Sequence, residues 1–185
     1  MDCASQKKMV FIIILITMFF KMHIAGAEES NFEITGDILQ IAIPAVAYGS
    51  TFYMDDSLGR KEFYYSFFTN LVVTHGLKYA INKPRPEGHG DYSFPSGHTS
   101  AAFQGATFIQ KKYGWKYGLP AILCATYVGW SRIEGESDKH DFSDVLGGAA
   151  IGILSSLYFT TPYNGVSVSP VADTGSYGLT INMAW

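Results

Sequence analysis

The chain has 185 residues, 48% of them hydrophobic, and a formal net charge of -3. That is enough apolar material for one domain of ordinary size and too much for a disordered chain. The slight acidity excludes the basic footprint of a nucleic-acid binder, and two cysteines, Cys3 and Cys124, exclude a disulfide framework. In chain order, residues 1–27 have the layout of a secretory signal. Lys7 and Lys8 precede the apolar run Met9 to Phe20, and Ala25-Gly26-Ala27 stands before Glu28 as a signal-peptidase site requires. An uncleaved membrane anchor is the rival, because Met22 to Ile24 resume the apolar run after Lys21. Either reading has the rest of the chain exported or facing the cell envelope, periplasmic or membrane-associated.

From Glu28 the pattern predicts an all-α domain over residues 28–163, a bundle of about five helices. The apolar segments run from Ile38 to Tyr53, Phe63 to Ile81, Thr99 to Tyr113, Tyr117 to Trp130 and Phe142 to Phe159, with Gly, Pro or charge between them. The long stretch from Asn82 to Phe94 holds Pro84, Pro86, Gly88 and Gly90 and cannot be regular helix. No segment has about 20 uninterrupted apolar residues, the length that spans a bilayer. With a mean hydropathy of +0.10, the pattern points to a bundle that touches or dips into a membrane, with spanning as the rival. Glycines at 147, 148 and 152 let the last helix approach its neighbours closely. Pro162 ends the helical pattern, and residues 164–185 alternate with period two, which predicts a short C-terminal β-hairpin.

Three clusters carry the chemistry: Lys78 with Arg85-Pro86; Pro95-Ser96-Gly97-His98; and Ser131-Arg132 followed by His140 and Asp144. Lys78, Arg85 and Arg132 are permanent cations interleaved with apolar segments, as an anion site requires, and arginine's planar fork suits a phosphoryl group. His98 opens a helix whose first N–H groups face the same anion. His140 and Asp144 are four residues apart, so on a helix the carboxylate can hold the imidazole in one tautomer. Asp141 competes for that role but points away on a helix. His75 reads as a core histidine, Lys83 as a solvated loop lysine, and His89 takes no role. No cluster has metal-ligand spacing, so neither a metal nor another cofactor is expected.

The three clusters, in this order and with the spacing within the first two kept, resemble the motifs of the type 2 phosphatidic acid phosphatase family, a superfamily that includes vanadium haloperoxidases and bacterial class A acid phosphatases. The resemblance covers about Asp37 to Phe159. It implies a metal-free phosphatase in which His140 is the nucleophile, Asp144 orients it and His98 is the general acid. Lys78, Arg85, Ser96, Gly97 and Arg132 would bind the phosphate. The implied substrates are lipid phosphate monoesters or pyrophosphates, such as phosphatidate, phosphatidylglycerophosphate, undecaprenyl pyrophosphate or a lipid A phosphate, met at a membrane. A soluble periplasmic acid phosphatase and a non-catalytic lipid-phosphate-binding envelope protein are the alternatives. The family usually has five residues between the third-motif arginine and histidine, whereas Ile133 to Lys139 is seven. The longer link carries Glu134, Glu136 and Asp138 towards an anion site.

Overall fold

The computed structural model of the chain describes residues 31–88, 90–135, 139–163, 166–173 and 176–183. The expected signal, residues 1–27, lies outside them, as does His89. Five helices build the described core: α1 (Asn31–Tyr53), α2 (Ser57–Ile81), α3 (Gly97–Tyr113), α4 (Trp115–Glu134) and α5 (Phe142–Phe159). Each apolar segment of the sequence is one of these helices, and the domain is all-α. The first two helices start earlier than their apolar runs, and α2 does so because its opening residues, Ser57 to Glu62, are mostly polar. Asp56 caps α2 by accepting the Gly59 N–H at 2.7 Å.

α3 is the central helix and packs against all four others. It can do so because Ala102, Gly105 and Ala106 leave its surface low. A Cβ on Gly105 would stand 2.8 Å from the Pro44 nitrogen, so α1 and α3 meet backbone to backbone at the proline of α1. α5 crosses α3 on Gly148 and Gly152, where a Cβ would lie 2.4 Å from the carbonyls of Ser96 and Ser100 respectively. Leu39 and Ile43 of α1 then close on Ala102, Ala106, Ala125 and Val128, and Ala47 packs with Phe63, Phe108 and Ile109.

Polar side chains run along the inside of this bundle. Ser66, Asn70, Thr74, Ser100, Gln104 and Ser156 are buried. Gln104 Nε2 donates to Ser66 Oγ at 2.8 Å and Thr74 Oγ1 to Ser100 Oγ at 3.0 Å. The outside is apolar: Ile41, Leu58, Phe68, Val72, Leu123 and Leu154 are all more than half exposed. His75 is also exposed rather than in the core, because Thr74, one helical step away, takes the inward place. Among the described residues, α5 is the one helix long and apolar enough to cross a membrane by length and composition.

The helices alternate in direction. One end of the bundle gathers the N-termini of α1, α3 and α5 with the C-termini of α2 and α4, where Asp37 meets Arg132 and the Ser96 N–H meets the Asp144 carbonyl. At the other end, buried Lys112 of α3 reaches Asp56 and Glu62. The five helices alone define the fold, and the C-terminal hairpin expected over residues 164–185 is not among its established elements.

Candidate active site

His140 stands just before α5, and its N–H donates to the Arg132 carbonyl at 2.8 Å. The residues that flank the seven-residue link are therefore adjacent, and its extra length does not part Arg132 from His140. Of its acidic members Glu134 is exposed, while Glu136 and Asp138 lie outside the described residues. The His140 ring is buried. Its Nδ1 lies 3.2 Å from Ser93 Oγ and 3.5 Å from Asp144 Oδ2. Ser93 in turn donates its hydroxyl proton to the same Asp144 oxygen, so the serine oxygen is left to accept from Nδ1–H. This assigns the neutral tautomer with its lone pair on Nε2.

Asp144, in the first turn of α5, is held by two further groups. The Asp141 N–H donates to Oδ2 at 3.1 Å, and Lys83 Nζ reaches Oδ1 at 2.7 Å. Asp141 caps α5 and pairs with Lys83 at 2.6 Å, taking no contact with the ring. Burial opposes the charge on Lys83, but its bonds to Asp141 and Asp144 outweigh that and hold the ammonium above its ordinary 10.5. On the opposite side of the ring, Arg85 Nη1 lies 3.2 Å from Nε2.

The loop between α2 and α3 delivers these groups. Asn82 ends α2 in the left-handed conformation, φ 45°, which asparagine tolerates well. The Ser93 N–H then bonds the Lys83 carbonyl at 2.8 Å, and the Arg85 N–H bonds the Gly90 carbonyl at 2.7 Å. Lys83, Arg85 and Ser93 are thus presented side by side. Lys78, on the last turn of α2, donates to the Tyr92 carbonyl at 2.8 Å. Ser96 is buried and caps α3, accepting the Thr99 hydroxyl at 3.0 Å. At Gly97 an added Cβ would meet only Lys78 Cε at 3.7 Å, an ordinary contact. Packing in the protein therefore does not require glycine there; the close approach of a ligand to the backbone would.

His98 and Arg132 form a second group. Arg132 is 1% exposed. Its Nη1 donates to Asp37 Oδ1 at 2.9 Å, its Nη2 to the Glu33 carbonyl at 3.0 Å and its Nε to Ser131 Oγ at 3.2 Å. His98 Nε2 lies 3.4 Å from the same Asp37 oxygen. The bundle end thus brings His140, Asp144 and Arg85 into one cluster, and His98 and Arg132 into another. The Ser96 N–H joins the two by its bond to the Asp144 carbonyl at 2.9 Å. Three members were not singled out from the sequence as site residues. Lys83 looked like a solvated lysine, Ser93 lies beside the second cluster but outside it, and Asp37 stands 95 positions from Arg132 with no local pattern to mark it.

Five helices thus gather two histidines, a carboxylate and several cations at one end of an all-α bundle. The chain belongs to the PAP2 superfamily, whose family model matches residues 61–165. It is 42% identical over 80 residues to a lipid A 1-phosphatase of Porphyromonas gingivalis, a match that covers 42% of this chain and 18% of that protein. It is 28% identical over 139 residues to a lipid A 4'-phosphatase of Helicobacter pylori, covering 69% of each. The chain thus spans less than a fifth of the first relative's length. Among solved structures, Aquifex aeolicus LpxE shares the fold with a TM-score of 0.52 at 22% identity, over 69% of this chain and 90% of that one.

Proposed function

We propose that the chain is a metal-independent phosphatase that hydrolyses phosphate monoesters or pyrophosphates of envelope lipids, lipid A type phosphates foremost, through a phosphohistidine. The observation that carries this reading is the His140 ring, bound at Nδ1 by Ser93 with Asp144 behind it and faced at Nε2 by Arg85 at 3.2 Å. A phosphoryl group entering between Nε2 and Arg85 would meet a lone pair on one side and a fork of donors on the other.

The Nε2 lone pair attacks phosphorus in line, and the bond from phosphorus to the leaving oxygen breaks. The proton from His98 goes to that oxygen, a contribution typically worth about 10²–10⁴-fold. Water then attacks the phosphohistidine, returns a proton to His98, and the P–N bond breaks to free inorganic phosphate. Arg85 and Lys78, with the N–H groups that open α3, stabilise the equatorial oxygens, where charge concentrates in phosphoryl transfer. These protein cations fill the part a metal ion plays elsewhere.

The apolar exterior and the small and polar residues along the helix contacts are the packing used in a lipid environment, which supports a lipid substrate taken at a membrane. The two relatives named as lipid A phosphatases support the same class. In this reading residues 28–163 are the phosphatase domain and residues 1–27 direct export. Residues 164–185 are read, from their period-two alternation, as an appended hairpin.

The test is release of inorganic phosphate, in EDTA, from detergent-dispersed lipid A, phosphatidate, phosphatidylglycerophosphate and undecaprenyl pyrophosphate. Wild type is expected to turn over at least one of them, and His140→Ala is expected to lose at least about 10⁴-fold. Folded wild type inactive on the whole panel, or turnover abolished by EDTA, overturns the reading.

A further inference from the structure

His140 has its carboxylate in Asp144, four residues along the chain; His98 has no acidic residue within several positions of it. The bundle supplies one from another helix. Asp37, two turns into α1, presents a single oxygen to Arg132 Nη1 at 2.9 Å and to His98 Nε2 at 3.4 Å. We infer that Asp37 is the positioning residue of the general acid: it fixes the ring of His98 and stabilises the charge that the ring carries before it gives up its proton. The inference rests on the proposed role of His98.

Asp37 is held where it is. Arg132 is buried and is itself anchored by the Glu33 carbonyl and Ser131, so the guanidinium is a fixed post rather than a mobile arm. The approach of α1 to that post depends on Gly36, where a Cβ would stand 2.1 Å from Ser131 Oγ and 2.9 Å from Arg132 Nη2. The carboxylate therefore sits on an element whose distance from Arg132 is set by the contact of the Gly36 backbone with the Ser131 and Arg132 side chains. Its side chain is 45% exposed and that of His98 27%, against 1% for Arg132. The carboxylate and the imidazole are thus on the open side of the pocket and the arginine is behind them. Arg132 accordingly acts first on Asp37, and through it on His98.

The chemistry balances with one proton. In the imidazolium form both ring nitrogens carry hydrogen, and Asp37 accepts one N–H. The other proton passes to the leaving oxygen as its bond to phosphorus breaks and the electron pair moves onto that oxygen. The ring becomes neutral, with its remaining N–H still on Asp37. The carboxylate is not consumed and touches neither phosphorus nor the leaving group.

A leaving group that needs no proton separates this role from a structural one. Kinetics of Asp37→Asn are compared on dodecyl phosphate, whose alkoxide must be protonated, and on 4-nitrophenyl phosphate, whose phenolate departs without help, in the same detergent and from the same preparation. The ratio of the two kcat values does not depend on how much of the protein is folded. The expected result is a loss on dodecyl phosphate of about 10²-fold, a loss on 4-nitrophenyl phosphate below about threefold, KM little changed, and partial rescue by Asp37→Glu. Equal losses on both substrates overturn the inference, as does no loss, or a fall in KM on both that marks the carboxylate as a competitor for the anion. His98→Asn serves as the control. If it shows the substrate split and Asp37→Asn does not, the inference alone fails; if it shows no split, the general-acid reading beneath it fails.

Discussion

At the site end Lys83 bonds Asp141 at 2.6 Å and Asp144 at 2.7 Å; at the far end Lys112 bonds Glu62 at 2.9 Å and Asp56 at 3.3 Å. The ingredients are the same, one ammonium between two carboxylates, but the surroundings differ. The Lys112 side chain is 2% exposed, and the carboxylates around it spend their remaining capacity on the fold: Asp56 caps α2 and Glu62 accepts the Thr161 hydroxyl at 2.6 Å. That cluster staples the start of α2 to the ends of α3 and α5. Lys83 is 28% exposed, and one of its carboxylates faces a histidine ring. In the proposed mechanism the Lys83 pair serves the site because one of its carboxylates also faces the reacting ring, whereas both carboxylates of the Lys112 pair face only the scaffold.

The largest effect on this comparison comes from Lys112→Met. It strands two buried carboxylates, which costs about 3–5 kcal/mol of stability, while kcat per folded molecule stays unchanged. Denaturant unfolding in detergent alongside active-site titration reads both. Equal damage to kcat here and at Lys83 would erase the distinction between the two ends.

Lys83→Met is next, with the opposite signature. Losing a charge-assisted bond to the orienting carboxylate is worth about 1.5–3 kcal/mol, or about 10- to 100-fold in kcat, with a smaller loss of global stability because the lysine is partly solvated. The two carboxylates raise the Lys83 ammonium above 10.5. Its contribution is therefore complete at every pH below that value and is lost only as pH rises through the still higher folded one. The ratio of wild-type to Lys83→Met kcat is expected to be flat from about pH 5 to 9, and a slope in that window would disconnect Lys83 from the effect.

Ser93→Ala tests the same cluster from the ring side. The serine is the shorter of the two contacts to His140 Nδ1, 3.2 Å against 3.5 Å for Asp144. Its removal leaves the longer direct contact, so the expected loss is about 1 kcal/mol, roughly fivefold in kcat. The rate of phosphoenzyme formation in a rapid-quench experiment is the measurement, and a loss confined to dephosphorylation would assign Ser93 elsewhere.

The helices and the motif residues were legible because both are local signals. Helix-length apolar runs separated by Gly, Pro or charge mark each of α1 to α5, and His140 lies four positions before Asp144, although it stands just ahead of α5 and not on it. The misreadings have one cause, which is that contact partners far apart in sequence leave no trace at either position. Lys83 looks solvated until Asp141 and Asp144 are brought back over it by α5, 58 and 61 positions later. Asp37 reads like any surface acid until Gly36 lets α1 reach Arg132. The link from Ile133 to Lys139 reads as a displacement of the third motif, because sequence counts residues whereas the fold needs only the distance between ends. The bond from the His140 N–H to the Arg132 carbonyl makes that distance independent of loop length.

The same loop supplies the smallest effect. Lys139 pairs with Glu87 at 2.6 Å, with side chains 28% and 64% exposed, so a third lysine–carboxylate contact stands near the site and is the most solvated of the set. Exposed pairs of this kind are worth about 0–1 kcal/mol and are screened by salt. Glu87→Gln is therefore expected to leave kcat within about twofold, and raising the salt from 50 to 500 mM is expected to narrow even that difference. If Glu87→Gln instead matched Lys83→Met in kcat, burial would not be what sorts these pairs. The link would then act on the nucleophile through Lys139, one residue from His140, rather than only closing the loop beside it.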